Sequence, residues 1–135
     1  MMNDWMSEGP PMTILVVDDE EPVRTFVSTV FRRDGYQVLS ADSALRALEL
    51  WRENRETVDL VVTDFHLGRP TAGALIDAIR AESGICPFLV LTGAMSEEER
   101  AAVGPKVVGI LHKPVRHAEL LAAARRVLFG VVSRE

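Results

Sequence analysis

Ile14-Leu15-Val16-Val17-Asp18-Asp19 is an apolar run that ends on two carboxylates, and later stretches of the chain repeat this pattern. The later runs are Leu60 to Thr63 before Asp64, Phe88 to Leu91 before Thr92, and Val107 to His112 before Lys113. The first three runs are apolar throughout, as expected of strands that are covered on both faces. Because parallel strands place their carboxyl ends at one edge of a sheet, where ligands bind in open α/β folds, the polar residues should share a site.

Amphipathic segments separate these runs and predict helices. Pro22 suits a first helical turn, Ser43 suits an N-cap, and Ser96 with Glu99 suits a capping box. A short second strand is expected over 37–41. The predicted apolar helix faces consist of Val23, Phe26, Val27, Val30 and Phe31; Ala44, Ala47, Leu48 and Trp51; Leu75, Ile76 and Ile79; and Leu120, Leu121, Ala124, Val127 and Leu128. Five strands that alternate with five helices indicate a doubly wound α/β domain with right-handed crossovers.

Length and composition limit the class of protein. A chain of 135 residues with 47% hydrophobic content fits one domain with a core. The net charge of −5 without a basic run argues against direct nucleic-acid binding, and no apolar segment approaches the ~20 residues of a membrane span. The single cysteine, Cys86, indicates a buried thiol and a reducing compartment, so cytoplasmic localisation is expected. We expect a flexible lead-in over 1–11, one domain over 12–130 and a tail over 131–135.

The carboxylates at the predicted edge point to a cation and a phosphoryl group. Asp18, Asp19 and Asp64 would repel one another by roughly 4 kcal/mol per pair at ~4 Å and an effective dielectric constant of ~20. A bound cation would keep them ionised, and an all-oxygen set suits Mg²⁺, with Mn²⁺ as an alternative. A carboxylate can also accept a phosphoryl group covalently. Lys113 would then neutralise charge, and the Thr92 hydroxyl could bind a phosphoryl oxygen.

Each of these residues also has an ordinary structural explanation. An acidic pair after a strand often caps a helix, an aspartate after a strand can be a loop acid, and a threonine can be a turn hydroxyl. Their joint occurrence, each at the end of a strand-like run, favours a shared site.

These motifs together resemble a known signature. Val-Val-Asp18-Asp19-Glu20, Val-Thr-Asp64-Phe-His-Leu-Gly, Leu-Thr92-Gly-Ala and Lys113-Pro114 are similar to the receiver domains of two-component response regulators, the CheY-like superfamily. The resemblance covers residues 12–129. It implies a flavodoxin-like (βα)5 fold, a three-layer sandwich around a parallel sheet of strand order 2-1-3-4-5.

The resemblance also implies a chemistry for the acidic residues. Asp64 would be the phosphoacceptor, receiving a phosphoryl group from a phosphohistidine on a sensor histidine kinase or a histidine phosphotransfer protein. Asp18, Asp19, Asp64 and the backbone carbonyl of His66 would hold Mg²⁺, and Lys113 would pair with the phosphoryl oxygens. Such a protein catalyses its own phosphorylation and slow dephosphorylation and is not otherwise an enzyme.

Signalling is implied in the same way. Thr92 would be the switch hydroxyl, the Lys113–Pro114 bond would be cis, and a conformational change would be read by a downstream protein. The surface implied for that target is formed by the fourth helix, the fifth strand and the fifth helix. Relatives bind their partners through this surface. We also expect that the chain contains no separate output domain.

The chain departs from the family pattern at particular positions. Ile110 stands where relatives usually have Tyr or Phe, and an aliphatic side chain cannot move a polar group between solvent and core, so signalling should rest on the loop after Thr92 and on the fourth helix. Gly68 stands where many relatives have proline, which suggests a more mobile loop. His66 could alter the lifetime of the phosphoryl group or be a solvated loop residue, and Ala94 and Ile110 are further candidate tuning positions.

Two other classes of protein fit parts of the pattern. A haloacid-dehalogenase-like phosphatase also uses an aspartate nucleophile after a strand, but it needs Asp-x-Asp, and here Glu20 stands two positions after Asp18. A pseudo-receiver, which binds partners without phosphorylation, usually lacks the nucleophile or an acidic partner, and this chain has them all.

Overall fold

The alternation of apolar runs and amphipathic segments produces alternating strands and helices in the computed structural model, which describes residues 11–130. The strands are β1 Thr13–Val17, β2 Gln37–Ala41, β3 Val58–Asp64, β4 Phe88–Thr92 and β5 Gly109–His112. The helices are α1 Glu21–Arg33, α2 Ala44–Glu53, α3 Ala72–Glu82, α4 Glu97–Val103 and α5 His117–Phe129, with a 3₁₀ turn over Gly104–Lys106. All strand pairs are parallel and the order is β2-β1-β3-β4-β5, which confirms the predicted fold class.

The core lies in two layers, one on each face of the sheet. Successive residues of β1 point to opposite faces. Leu15 and Val17 pack with the buried residues of α2 and α3, whereas Ile14 and Val16 pack with those of α1 and α5. All five residues of β1 and of β4 are buried, as strands between two helical layers require. The three-layer sandwich places the loops that follow the strands at one open edge.

Local signals in the sequence set where the helices begin. Ser43 Oγ accepts from the backbone N–H of Arg46 at 3.1 Å and caps α2. Ser96 and Glu99 form the predicted capping box of α4, with bonds of 3.0 and 2.9 Å between each side chain and the other residue's N–H. Pro22 occupies the first turn of α1, where a missing N–H costs nothing. These predictions are confirmed.

Two predicted details of the elements are wrong. The fifth strand begins at Gly109, not at Val107, because the chain is still turning there: Val107 N–H donates to the carbonyl of Gly104 at the end of the 3₁₀ turn. Phe26 was predicted on the buried face of α1, but the residue is 44% exposed. Val27 and Phe31 take the positions against the sheet, so Phe26 lies at the border of that face.

The thiol of Cys86 is buried, as predicted, and burial raises its pKa to about 11, so it stays protonated at neutral pH. Within residues 11–130, no helix combines the length and the apolar character that crossing a membrane requires. Apart from Pro11, the predicted lead-in and tail lie outside the described residues, and the domain limits stay predictions.

Candidate functional site at the carboxyl edge of the sheet

The strand ends converge as the sequence predicts. Asp18 follows β1, Asp64 is the last residue of β3, Thr92 is the last residue of β4, and Lys113 follows β5. The backbone N–H of Lys113 donates to the carbonyl of Thr92 at 2.8 Å, which ties the ends of β4 and β5 together. The parallel register therefore brings residues from four separate segments to one edge.

Lys113 joins the two buried carboxylates. Its Nζ lies 2.9 Å from Asp64 Oδ1 and 3.4 Å from Asp18 Oδ2. Asp18 is only 2% exposed and Asp64 only 4%, so both charges are largely removed from water. Buried carboxylates need a compensating charge, and Lys113 supplies one positive charge for two negative ones.

Burial changes the pKa values of Asp18 and Lys113. It raises the pKa of Asp18 above its ordinary value, and the negative charge of Asp64 raises it further. The hydrogen bond from Glu20 N–H and the positive charge of Lys113 lower it, but they do not cancel the increase. Burial alone would lower the pKa of Lys113, but its hydrogen bond to Asp64 and the charges of both carboxylates outweigh burial and raise it. The ammonium is thus held in its charged form beside an acid that is costly to ionise.

The acidic cluster fits a divalent cation. Asp18, Asp19 and Asp64 each offer one carboxylate oxygen, and these atoms lie within 4.8 Å of one another. Asp19 is exposed, whereas the other two side chains are buried. Three formal negative charges face the single ammonium of Lys113, and hard oxygen donors with access to solvent are the ligands that Mg²⁺ prefers. The cluster therefore has the donor chemistry and the excess charge of a Mg²⁺ site.

Two further hydrogen bonds hold the acidic loop in place. Asp18 Oδ1 accepts from the backbone N–H of Glu20 at 2.9 Å, and Arg24 Nη1 donates to the backbone carbonyl of Asp18 at 2.8 Å. Arg24 was not predicted to take part in the site. Its place in the first turn of α1, five residues after Asp19, was the available signal, because a long side chain there can reach back to the preceding loop.

Thr92 is fully buried, and its hydroxyl is occupied by its own loop. Its Oγ1 donates to the carbonyl of Ala94 at 2.8 Å and accepts from the N–H of Ala94 at 3.2 Å. His66 Nε2 lies 2.8 Å from the same carbonyl oxygen. The side chain of His66 is exposed but not merely solvated, because it links the loop after β3 to the loop after β4. This contact was not predicted.

The other predicted positions border the site. Lys113–Pro114 is cis, as the resemblance implies, and Arg69–Pro70 in the loop after β3 is also cis. Gly68 has φ of 82°, a left-handed conformation that favours glycine. Ile110 is half-buried on β5, opposite Val90, and packs against the core layer of α2 and α3. The metal-binding role of the His66 carbonyl and the tuning roles of His66, Ala94 and Ile110 stay predictions.

Charged side chains on the surface of α4, β5 and α5 are partly engaged. Arg100 Nη2 lies 3.2 Å from His112 Nε2, which connects α4 to β5. Lys106 pairs with Asp77 of α3 at 2.9 Å, and Arg125 pairs with Asp34 after α1 at 2.9 Å. The role of this surface in binding a target stays a prediction.

Comparison with known proteins agrees with the geometry. The response regulator MprA of Mycobacterium sp. (strain KMS) is 35% identical over 119 residues, which cover 87% of this chain and 51% of MprA. The two-component response regulator ORR22 of Oryza sativa subsp. indica is 30% identical over 109 residues, which cover 81% of this chain and 16% of that protein. The chain thus spans about half or less of the length of these relatives.

Solved structures share the fold. The chemotaxis protein CheY4 of Vibrio cholerae superposes with a TM-score of 0.82 at 29% identity, covering 88% of this chain and 100% of that chain. A response regulator receiver domain protein from Clostridium thermocellum gives a TM-score of 0.82 at 25% identity, with 88% and 95% coverage.

A family model described as the response regulator receiver domain matches residues 14–125, which include every strand end at the acidic edge. Proteins of this kind are signalling proteins rather than classical enzymes, and the haloacid-dehalogenase alternative is set aside. The chain belongs to the response regulator receiver domain family of two-component systems.

Proposed function

We propose that Asp64 accepts a phosphoryl group from a phosphohistidine in a reaction that depends on Mg²⁺, and that the domain signals through the resulting conformational change. One observation carries this proposal: a buried carboxylate lies 2.9 Å from a lysine ammonium and within 4.8 Å of oxygens from two further carboxylates. Phosphoryl transfer needs positioning and charge neutralisation more than covalent assistance, and this group of residues offers both.

In the proposed step, a carboxylate oxygen of Asp64 forms a P–O bond while the P–N bond to the donor imidazole breaks. The electron pair of that bond returns to the imidazole nitrogen. Lys113 offsets the negative charge of the phosphoryl oxygens, and Asp18 with Asp19 would hold Mg²⁺ beside Asp64. Bound there, Mg²⁺ would neutralise further charge on the transferred group. Burial of Asp64 limits the access of water to the acyl phosphate, which favours slow hydrolysis.

The phosphodonor is proposed to be a protein, either a sensor histidine kinase or a histidine phosphotransfer protein. An apolar cavity of about 480 Å³ adjoins the site, and Lys113 forms part of its wall. The remaining lining comes from α1 and from the segments around β4 and β5: Pro22, Val23, Phe26, Val27, Leu91, Pro114 and Val115. Such a surface can receive apolar side chains of a partner that presents its histidine to Asp64. Because such kinases take their phosphoryl group from ATP inside the cell, we propose that the protein lies in the cytoplasm.

Signalling is proposed to begin at Thr92. Its hydroxyl would leave Ala94 and bind a phosphoryl oxygen on Asp64, and the loop before α4 would move with it. The surface of α4, β5 and α5 would then present the change to a downstream protein. That no output domain accompanies the receiver stays a prediction.

The proposed function is tested with acetyl phosphate as a small phosphodonor and intact mass as the measurement. We expect the protein to gain the mass of one phosphoryl group in the presence of Mg²⁺ and none in the presence of a chelator. Absence of any gain with Mg²⁺ would reject phosphorylation and favour the alternative, a pseudo-receiver that binds partners in its unmodified form.

A second measurement locates the conformational change. Because Ile110 cannot exchange a polar group between solvent and core, phosphorylation is expected to alter amide hydrogen exchange most over residues 92–100 and least over β5. Exchange is compared between unmodified protein and protein held with acetyl phosphate and Mg²⁺. Changes confined to β5 would contradict the prediction and place the switch around Ile110.

A further inference from the structure

The side chain of His66 connects two loops that border the acidic site. Its Nε2 lies 2.8 Å from the carbonyl oxygen of Ala94. A carbonyl oxygen can only accept a hydrogen bond, so Nε2 must carry the proton and donate it. The loop after β3 is thereby fastened to the loop that leads from β4 into α4.

Thr92 and His66 both donate a hydrogen bond to the carbonyl oxygen of Ala94. The Ala94 carbonyl also accepts the Thr92 hydroxyl at 2.8 Å, and the Ala94 N–H donates back to Thr92 Oγ1 at 3.2 Å. His66 Nε2 also lies 3.5 Å from Thr92 Oγ1, at the long limit for a hydrogen bond, so its contact of 2.8 Å with the Ala94 carbonyl is the stronger of the two. The backbone N–H and carbonyl of Ala94 thus retain the Thr92 hydroxyl, and His66 bonds to the same carbonyl.

The contact between His66 and Ala94 matters because the Thr92 hydroxyl has to break its bonds to Ala94 when it binds a phosphoryl oxygen. If the hydroxyl turns toward a phosphoryl oxygen on Asp64, it releases its bond to the Ala94 carbonyl, and the Ala94 N–H loses its acceptor unless the backbone there moves with Thr92. A donor that fixes the Ala94 carbonyl opposes this motion. Ile110, which stands at the usual switch position, has no hydrogen bond to contribute in either state.

We propose that His66 is a positioning residue that holds the loop after Thr92 in its unphosphorylated arrangement through the Nε2–H donated to Ala94. The proposal rests on the proposed function in one respect, the movement of Thr92 toward a phosphoryl group. The hydrogen bond itself exists without phosphate, so its effect on the resting loop is testable independently.

Three variants separate the hydrogen bond from mere side-chain bulk. His66→Leu removes the donor, and His66→Gln keeps an N–H donor at a comparable reach. His117→Leu, at the first position of α5, controls for the loss of an exposed histidine that has no part in the site. The first readout is the amide exchange rate of Ala94 without a phosphodonor. The second is the affinity for beryllofluoride with Mg²⁺, since beryllofluoride mimics a phosphoryl group on a carboxylate.

His66→Leu is expected to accelerate exchange at Ala94 and to tighten beryllofluoride binding, each by about two- to tenfold, the range that the loss of one net hydrogen bond produces. His66→Gln and His117→Leu should stay close to wild type in both measurements. Unchanged exchange at Ala94 in His66→Leu would overturn the proposal. Unchanged or weaker beryllofluoride binding by His66→Leu, with normal binding by wild type, would overturn its role in switching while the proposed function stands. If His66→Leu shows faster exchange at Ala94 but neither the wild type nor any variant binds beryllofluoride, the positioning role of His66 stands and the proposed function is rejected.

Discussion

Asp64→Asn is expected to keep its unmodified mass under conditions in which the wild-type chain gains one phosphoryl group from acetyl phosphate and Mg²⁺. The amide of asparagine has nearly the shape of the carboxylate but lacks its charge and its nucleophilic oxygen, so no acyl phosphate forms. The substitution also replaces one of the three carboxylates whose oxygens lie within 4.8 Å of one another by a neutral amide, so the cluster should hold Mg²⁺ less tightly. Intact mass measures the first effect and calorimetric titration with Mg²⁺ the second.

Asp59→Asn is the matched control on the same strand. Asp59 lies near the opposite end of β3, where its Oδ2 accepts from the backbone N–H of Thr13 at 2.9 Å, and asparagine can accept the same bond. This variant should take up the phosphoryl group as the wild type does. If Asp64→Asn gained the phosphoryl group as the wild type does, Asp64 would not be the phosphoacceptor, and Asp18 and Asp19 would be the next candidates.

The general architecture could be predicted because each strand end follows from short-range signals. Apolar runs of strand length, a proline in the first turn of α1 and serine caps are local features, and the parallel connection rules convert them into a shared edge. The convergence of Asp18, Asp64 and Lys113 needed no knowledge of loop conformation, since the last residue of a strand, or the one after it, lies close to the sheet.

The contacts that the sequence did not reveal depend on loop paths and on side-chain reach. The bond from His66 to Ala94 joins two loops whose course follows from Gly68 with positive φ and from the hydroxyl of Thr92, and no periodicity encodes such a course. The start of β5 was misplaced because the apolar Val107 and Val108 resemble strand residues, although Val107 N–H still bonds to Gly104 at the end of the 3₁₀ turn and the register with β4 begins at Gly109. Apolar character alone does not separate a strand from the turn that precedes it.

Lys113→Met is expected to lower the free energy of unfolding at neutral pH without Mg²⁺ by about 1–3 kcal/mol, less than for a fully buried pair because Lys113 is 24% exposed. The variant leaves Asp18 and Asp64 buried without their ammonium. Burial already holds the pKa of Asp18 above its ordinary value, and loss of the positive charge should raise it further. A carboxyl group whose pKa is higher in the folded than in the unfolded state destabilises the fold at every pH at which it is ionised. The loss of stability in Lys113→Met should therefore shrink as the pH falls through the folded-state pKa of Asp18. Urea unfolding followed by far-UV circular dichroism at a series of pH values measures this.

Lys106→Met supplies the control for losing a lysine from an ion pair. Its Nζ lies 2.9 Å from Asp77, and both side chains are about half exposed, so the loss should stay below about 1 kcal/mol. Mg²⁺ distinguishes the two lysines further. In Lys113→Met no ammonium offsets the negative charge of the acidic cluster, so the cluster should bind the cation more tightly. Added Mg²⁺ should therefore stabilise this variant more than it stabilises the wild type or Lys106→Met. A loss of stability in Lys113→Met that is independent of both pH and Mg²⁺ would mean that Lys113 stabilises the fold through the packing of its side chain rather than by compensating the buried carboxylates.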